Sequence, residues 1–281
     1  MKLRKRQIII SPDFDGYLSF FIFKTYFSND AEILGKYITC KKIEERSCSL
    51  LLLKDINFNV EETLALDLDI NKIDSLGHHY LNHEIVNSYV GKHINFNLEE
   101  KLNFVNKCPF STVIMLMTFS KKFEADVVEL FKKKDFRKLA FLFYADNFIK
   151  IFNNFKPNVK NWLTKKNLFW LYDSIEKNYS ELLEESNSLE KELIDNFKFI
   201  NSSNSNYFAQ SLAEKNEQYF INYLCKLFGF DSISMVFSYK KTFINLRIAP
   251  ENASNYKDIF SHAIIDAKTI SISVPFNKTE C

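Results

Sequence analysis

Three short clusters of carboxylates and imidazoles carry the chemistry available to this chain. Ser11-Pro12-Asp13-Phe14-Asp15-Gly16 follows the apolar run Ile8–Ile10, and Thr63-Leu64-Ala65-Leu66-Asp67-Leu68-Asp69-Ile70 closes a second run. Gly77-His78-His79 comes a few residues later. Carboxylates at strand ends followed by a His pair suit a two-metal hydrolytic site, where ions about 3.5–4 Å apart need several anionic oxygens and a few imidazoles. Each cluster also has a plainer reading. Asp-x-Asp-Gly is ordinary turn chemistry, and an adjacent His pair is commonly surface or hydrogen-bonded. On a strand, Asp67 and Asp69 would share one face, and two carboxylates buried together need a cation or solvent. The order of the three clusters along an alternating chain is what points to metal.

The elements that must position these residues follow from hydrophobic patterning. Residues 7–11 form a β-branched run bounded by Pro12; Glu32–Thr39, Ser49–Leu53 and Thr63–Ile70 are further strand candidates, and Lys72–Leu76 a short one. Tyr17–Phe27, apolar on nearly every face, predicts a buried helix. This alternation predicts an α/β part with a mainly parallel sheet, and such sheets bind ligands at the carboxyl ends of their strands. From residue 112 the period is helical: Thr112–Phe123, Glu124–Lys132 and Phe136–Phe152, closed by Pro157. In the amphipathic stretch Asn167–Phe199, Leu182, Leu183, Leu189, Leu193 and Ile194 alternate with acidic positions. Asn201–Asn206 reads as a loop, and Tyr207–Phe228 as a helix with Gly229 at its C-cap. Ile233–Tyr239, Phe243–Ala249 and Thr269–Val274 read as strands. The expected fold is α/β: a parallel-sheet domain over 1–160, a helical connector over 161–206 and a small C-terminal α/β segment over 207–281.

Composition bounds the function classes. Hydrophobic residues make up 46% of the 281 and charged residues 26%, ordinary for a globular protein. A net charge of +2 excludes a globally basic nucleic-acid binder and leaves nucleic acid as a substrate in a local groove. Twenty-nine Phe against five Gly and five Pro argue against long disordered linkers. Cys40, Cys48, Cys108, Cys225 and Cys281 form no CxxC pair and no even framework, which with no secretory signal predicts reduced thiols in a cytoplasmic protein. The basic start Met1–Arg6 is followed by only Ile8–Ile10 before Pro12, too short for a signal core. The longest apolar stretch, near 112–119, is too short for a bilayer, so a soluble chain with no membrane partner is expected.

Together these features resemble the DHH phosphoesterase superfamily, which includes single-strand exonucleases, oligonucleotide and cyclic-dinucleotide phosphodiesterases, and manganese pyrophosphatases. Its first motif, an apolar strand leading to Asp-x-Asp, is matched by Ile8–Ile10 and Asp13-Phe14-Asp15-Gly16. Its second, an Asp ending a strand, is matched by Asp67, with Asp69 as the alternative. His78 and His79 match its Asp-His-His triad at two positions of three, and Asp146 in Leu142–Asn147 matches the later isolated Asp. The chain is also similar to bacterial DHH-like proteins whose triad reads Gly-His-His. The resemblance covers roughly residues 7–150. It implies Asp67 bridging two ions, Asp13 serving one, and Asp15, His78 and Asp146 serving the other. His79 would contact the scissile phosphate or assist its hydrolysis. The ligand mixture suits Mn²⁺, with Mg²⁺ the second choice because hard oxygens dominate.

The sequence departs from that pattern at Ile9 and Ser11, where other members carry His or Asp, and at Gly77, which replaces the leading Asp of the triad. Asp69 and Asp74 are the residues able to compensate, and Gly77→Asp is expected to raise metal affinity or activity. Arg247, on the strand Phe243–Arg247, would fork onto a phosphate; the Gly-rich loop of related C-terminal domains is absent and His262 is a faint echo of it. His83, four residues after His79, belongs to no His-Glu-x-x-His motif, and His93 has no ligand-like sequence neighbour. The expected function is metal-dependent hydrolysis of a phosphodiester in single-stranded nucleic acid or a small nucleotide. The alternative is a degenerate, non-catalytic nucleotide or nucleic-acid binder within a larger complex. A third reading makes Asn167–Phe228 a helical interaction module for a protein partner or a second copy of the chain.

Overall fold

The computed structural model describes residues 5, 7–38, 47–52, 61–79, 81, 83–87, 89–99, 106–197, 199–202, 205–208, 213–231, 233, 239–249, 252, 259–266 and 269–275. Its strands are β1 (Gln7–Ile10), β2 (Glu32–Ile38), β3 (Ser47–Leu52), β4 (Thr63–Leu66), β5 (Asp74–Leu76), β6 (His93–Ile94), β7 (Phe199–Ser202), β8 (Ser205–Phe208), β9 (Tyr239–Ile248), β10 (Ser261–Asp266) and β11 (Thr269–Pro275). Its helices are α1 (Phe14–Tyr26), α2 (His83–Asn87), α3 (Thr112–Phe119), α4 (Lys121–Lys133), α5 (Phe136–Tyr144), α6 (Phe148–Asn154), α7 (Lys156–Lys165), α8 (Phe169–Lys177), α9 (Tyr179–Phe197) and α10 (Ala213–Phe228). The chain divides into two compact units: Met1–Ser11, Asp30–Lys107 and Val236–Cys281 form the first, Pro12–Asn29 and Cys108–Met235 the second.

In the first unit one sheet runs β10-β11-β9-β3-β2-β1-β4-β5-β6. The five strands β2-β1-β4-β5-β6 are parallel, as the alternating sequence predicts. A central parallel strand is covered on both faces and reads as a near-continuous apolar run; Ile8, Ile9 and Ile10 of β1 and all four residues of β4 are buried. β3 pairs antiparallel with β2, β9 with β3, and β11 with β9. The C-terminal strands therefore extend the N-terminal sheet, and the division lies elsewhere than at the expected boundaries after 160 and 206. Phe260 joins Ile9, Leu34, Tyr37, Ala65 and Leu68 in the same apolar cluster.

β4 stops at Leu66, short of the expected Ile70. Asp67 turns into the left-handed region (φ 59°), and its N–H donates to the Leu76 carbonyl at 2.9 Å. Strand alternation therefore does not relate Asp67 to Asp69.

Among its described residues the second unit has no strand apart from the β7–β8 hairpin, which replaces the loop expected over 201–206. Phe14 of α1 packs on Phe141, Tyr144 and Phe220. Ser120 ends α3 and caps α4, accepting from Phe123 N–H, so the helix expected over 112–123 breaks there. The one expected over 136–152 breaks at Asp146 and Asn147, both left-handed (φ 53° and 55°). Pro157 opens α7 instead of closing what precedes it, because a first-turn residue needs no amide hydrogen. Gly229 (φ 73°) ends α10 as expected, with Phe230 N–H returning to the Cys225 carbonyl. The expected strand Ile233–Tyr239 lies largely outside the described residues.

Candidate metal centre

β4 and β5 are parallel neighbours, and the chain emerges from their carboxyl ends at Asp67 and at Gly77-His78-His79. Asp67 is buried, and its Oδ1 lies 2.9 Å from His78 Nδ1. The His78 and His79 rings stack with centroids 4.6 Å apart and planes 27° apart. Asp67, His78 and His79 each offer one ligand atom, all within 4.8 Å of one another. Donors bound at about 2.0–2.2 Å to one ion are separated by up to about 4.4 Å, so side-chain rotation of a few tenths of an ångström brings these three into reach of a common cation. One carboxylate with two imidazoles suits a borderline or moderately hard divalent ion. Such a cation would offset the buried Asp67 charge and accept lone pairs from the two rings.

The backbone of the His pair is clamped by two residues that sequence reasoning missed. Asn97 Nδ2 donates to the His78 carbonyl and Asn95 Nδ2 to the His79 carbonyl, both at 2.8 Å. Asn95 and Asn97 are buried, and Asn95 Oδ1 accepts from Asn97 N–H at the turn that follows β6. The available signal was an Asn-x-Asn set among the apolar residues Ile94, Phe96 and Leu98. The loop between β4 and β5 is braced as well: Ile70 N–H donates to Ser75 Oγ, and Asn71 donates through its N–H and Nδ2 to the carbonyls of Phe260 and Ile259.

Asp69 lies behind the pair, its side chain 1% exposed. Its Oδ1 is 3.3 Å from Nδ1 of His93, whose side chain is 2% exposed, and its Oδ2 is 3.8 Å from His79 Nδ1. Burial alone would raise this carboxyl, but the imidazoles of His79 and His93 outweigh that and hold it well below the usual carboxylate range. His93 thus has a carboxylate partner in space that its sequence neighbours did not announce. Of Asp69 and Asp74, only Asp69 borders Gly77. Asp74 is engaged by Lys5 Nζ at 2.9 Å and by Lys92 N–H at 2.9 Å, whereas a Cβ on residue 77 would meet Asp69 Oδ2 at 2.5 Å. Gly77→Asp therefore drives carbon into a carboxylate, and Asp69 would have to shift to admit it.

The other sequence candidates lie in the second unit or elsewhere on the sheet. Asp13 caps α1, its Oδ1 accepting from Gly16 N–H at 2.9 Å. Asp15 is buried on α1; its Oδ2 accepts from Thr112 N–H at 2.7 Å, and its Oδ1 accepts from Val113 N–H and Ser19 Oγ, both at 3.1 Å. Asp15 thus satisfies the start of α3 while presenting an oxygen within 4.8 Å of one from Asp146. Arg247 lies on β9 opposite Ser271, and His83 begins α2; their side chains lie outside the described residues, as does that of His262. No family model, curated protein or solved structure matches this chain. Among the described residues no helix is long and apolar enough to cross a membrane.

Proposed function

We propose that this chain is a divalent-metal-dependent phosphoesterase acting on a phosphodiester of single-stranded nucleic acid or of a small oligo- or cyclic nucleotide. The observation that carries the reading is the grouping of Asp67, His78 and His79 at the carboxyl ends of two adjacent parallel strands. A divalent ion there, Mn²⁺ before Mg²⁺, supplies Lewis acidity toward a phosphoryl oxygen. Asp67 and His78 are the better-fixed holders, one buried and the other pinned through its carbonyl by Asn97. His79 has the more exposed ring, which supports a contact with the scissile phosphate. The sequence resemblance would have Asp67 bridge two ions, with Asp13 serving one and Asp15, His78 and Asp146 the other, and would give Arg247 a substrate phosphate.

The test is a hydrolysis screen of short oligonucleotides, cyclic dinucleotides and pyrophosphate with millimolar Mn²⁺, run beside a Mn²⁺ titration. Turnover that is lost in Asp67→Asn and on chelation supports the enzyme. Mn²⁺ bound tightly with none of these substrates cleaved would favour the non-catalytic nucleotide or nucleic-acid binder.

A further inference from the structure

Asp69 is a buried carboxylate with an unusual surround. Ionised carboxylates are rarely buried without full pairing, yet Asp69 Oδ2 has no hydrogen-bond partner among the described residues. That oxygen points toward Nδ1 of His79, 3.8 Å away, whose ring is 40% exposed. Oδ1 is held by Nδ1 of the His93 ring, 3.3 Å away and 2% exposed. Gly77 supplies the third wall, since any side chain there would begin 2.5 Å from Oδ2. The carboxylate thus fills the volume that residue 77 leaves free and directs its one unsatisfied oxygen at the more exposed imidazole of the site.

We propose that Asp69 is the positioning carboxylate of this centre: Oδ2 accepts a hydrogen bond from Nδ1–H of His79, leaving the Nε2 lone pair for a ligand. His93 fixes Asp69 from behind, and Gly77 is small in order to admit it. The inference rests on the phosphoesterase reading only for what Nε2 then meets, a cation or a phosphoryl group. Asp69 itself is not among the three residues grouped around a common centre. A carboxylate on the far nitrogen of an imidazole fixes its tautomer and ring orientation and makes the other nitrogen more basic. At 3.8 Å the pair is looser than a formed hydrogen bond, and a small rotation of the His79 ring closes it.

The experiment is side-chain ¹⁵N NMR of the His79 ring in the full chain without metal. The wild type is expected to show the tautomer protonated at Nδ1. Asp69→Asn, which can turn a donor toward Nδ1, should convert His79 to the tautomer protonated at Nε2. Gly77→Ala, which displaces the carboxylate without removing it, should shift the populations the same way. His93→Gln keeps a donor behind Asp69 and should leave His79 unchanged. A wild-type ring protonated at Nε2 overturns the proposal, as does a tautomer indifferent to both Asp69→Asn and Gly77→Ala. Because these readouts need no metal, a His79 held by Asp69 in a protein that binds no Mn²⁺ would sink the phosphoesterase reading while leaving this inference standing.

Discussion

Asp67 and Asp146, two candidate ligands, both sit in the left-handed region, which costs about 1–2 kcal/mol for an ordinary side chain and least for Asp and Asn. Asp67→Asn keeps the left-handed tolerance and the shape; it is expected to leave the melting temperature nearly unchanged and to lower Mn²⁺ affinity at least tenfold, and by more than Asp69→Asn. Asp67→Ala should match that loss and add a stability cost on the order of 1 kcal/mol. Calorimetry beside Mn²⁺ titration checks both, and equal affinities for Asp67→Asn and wild type would remove Asp67 from the ligand set. At this scale the sequence made Asp67, His78 and His79 legible because strand ends and a His pair are local patterns. Asn95, Asn97 and the Asp69–His93 pair escaped it, since their roles exist only through contacts across 16 to 24 residues.

Helix ends show how one carboxylate can serve as scaffold. Thr112 and Val113 present two of the N–H groups that a helix start leaves unbonded; Asp15 accepts both, and Ser111 Oγ accepts from Ile114 N–H. Asp15→Ala is expected to destabilise the second unit by on the order of 2–4 kcal/mol, two buried donors losing a charged acceptor. Urea denaturation measures this, and a change below about 0.5 kcal/mol, the size of a neutral surface substitution, would contradict it. Apolar periodicity located α3 and α5, but the ends of these helices and the start of α7 depended on Ser120, Asp146 and Pro157, whose caps and turns are weak signals beside a continuous apolar run. On α10, burial pushes the Glu217 carboxyl up to about 8. The unfolded chain titrates near 4.3, so the folded state holds a proton that the unfolded state releases between these values. Stability from this group is full below about pH 4.3, falls as pH rises toward 8 and levels off above it. Glu217→Gln should flatten that slope, and parallel pH–stability profiles for the two proteins would exclude the effect.

Neither unit is a continuous stretch of chain: the first takes Met1–Ser11, Asp30–Lys107 and Val236–Cys281, and the second takes what lies between. Sequence patterning found β9 and β11 but not β10, and not their destination, because a short apolar run does not say which edge it will join. The edge is β3, which pairs with β9 from Ser47↔Ile244 to Leu52↔Tyr239. Such long-range pairing makes closure of this sheet a late event, after the intervening residues are made. A chain ending at Met235 would leave β3 an unpaired edge, a template for association with other chains. It would also remove the Ile259 and Phe260 carbonyls that hold Asn71, and with them a brace on the loop carrying Asp67 and Asp69. Residues 1–235 are therefore expected to aggregate, or to unfold without a sharp transition, and to bind Mn²⁺ more weakly than the full chain. Asn71→Ala in the full chain separates the two effects, since it loosens the loop and keeps the sheet. It should lower Mn²⁺ affinity while the protein stays monodisperse, and unchanged affinity would mean that β4 and β5 hold the site without help from the C-terminal strands.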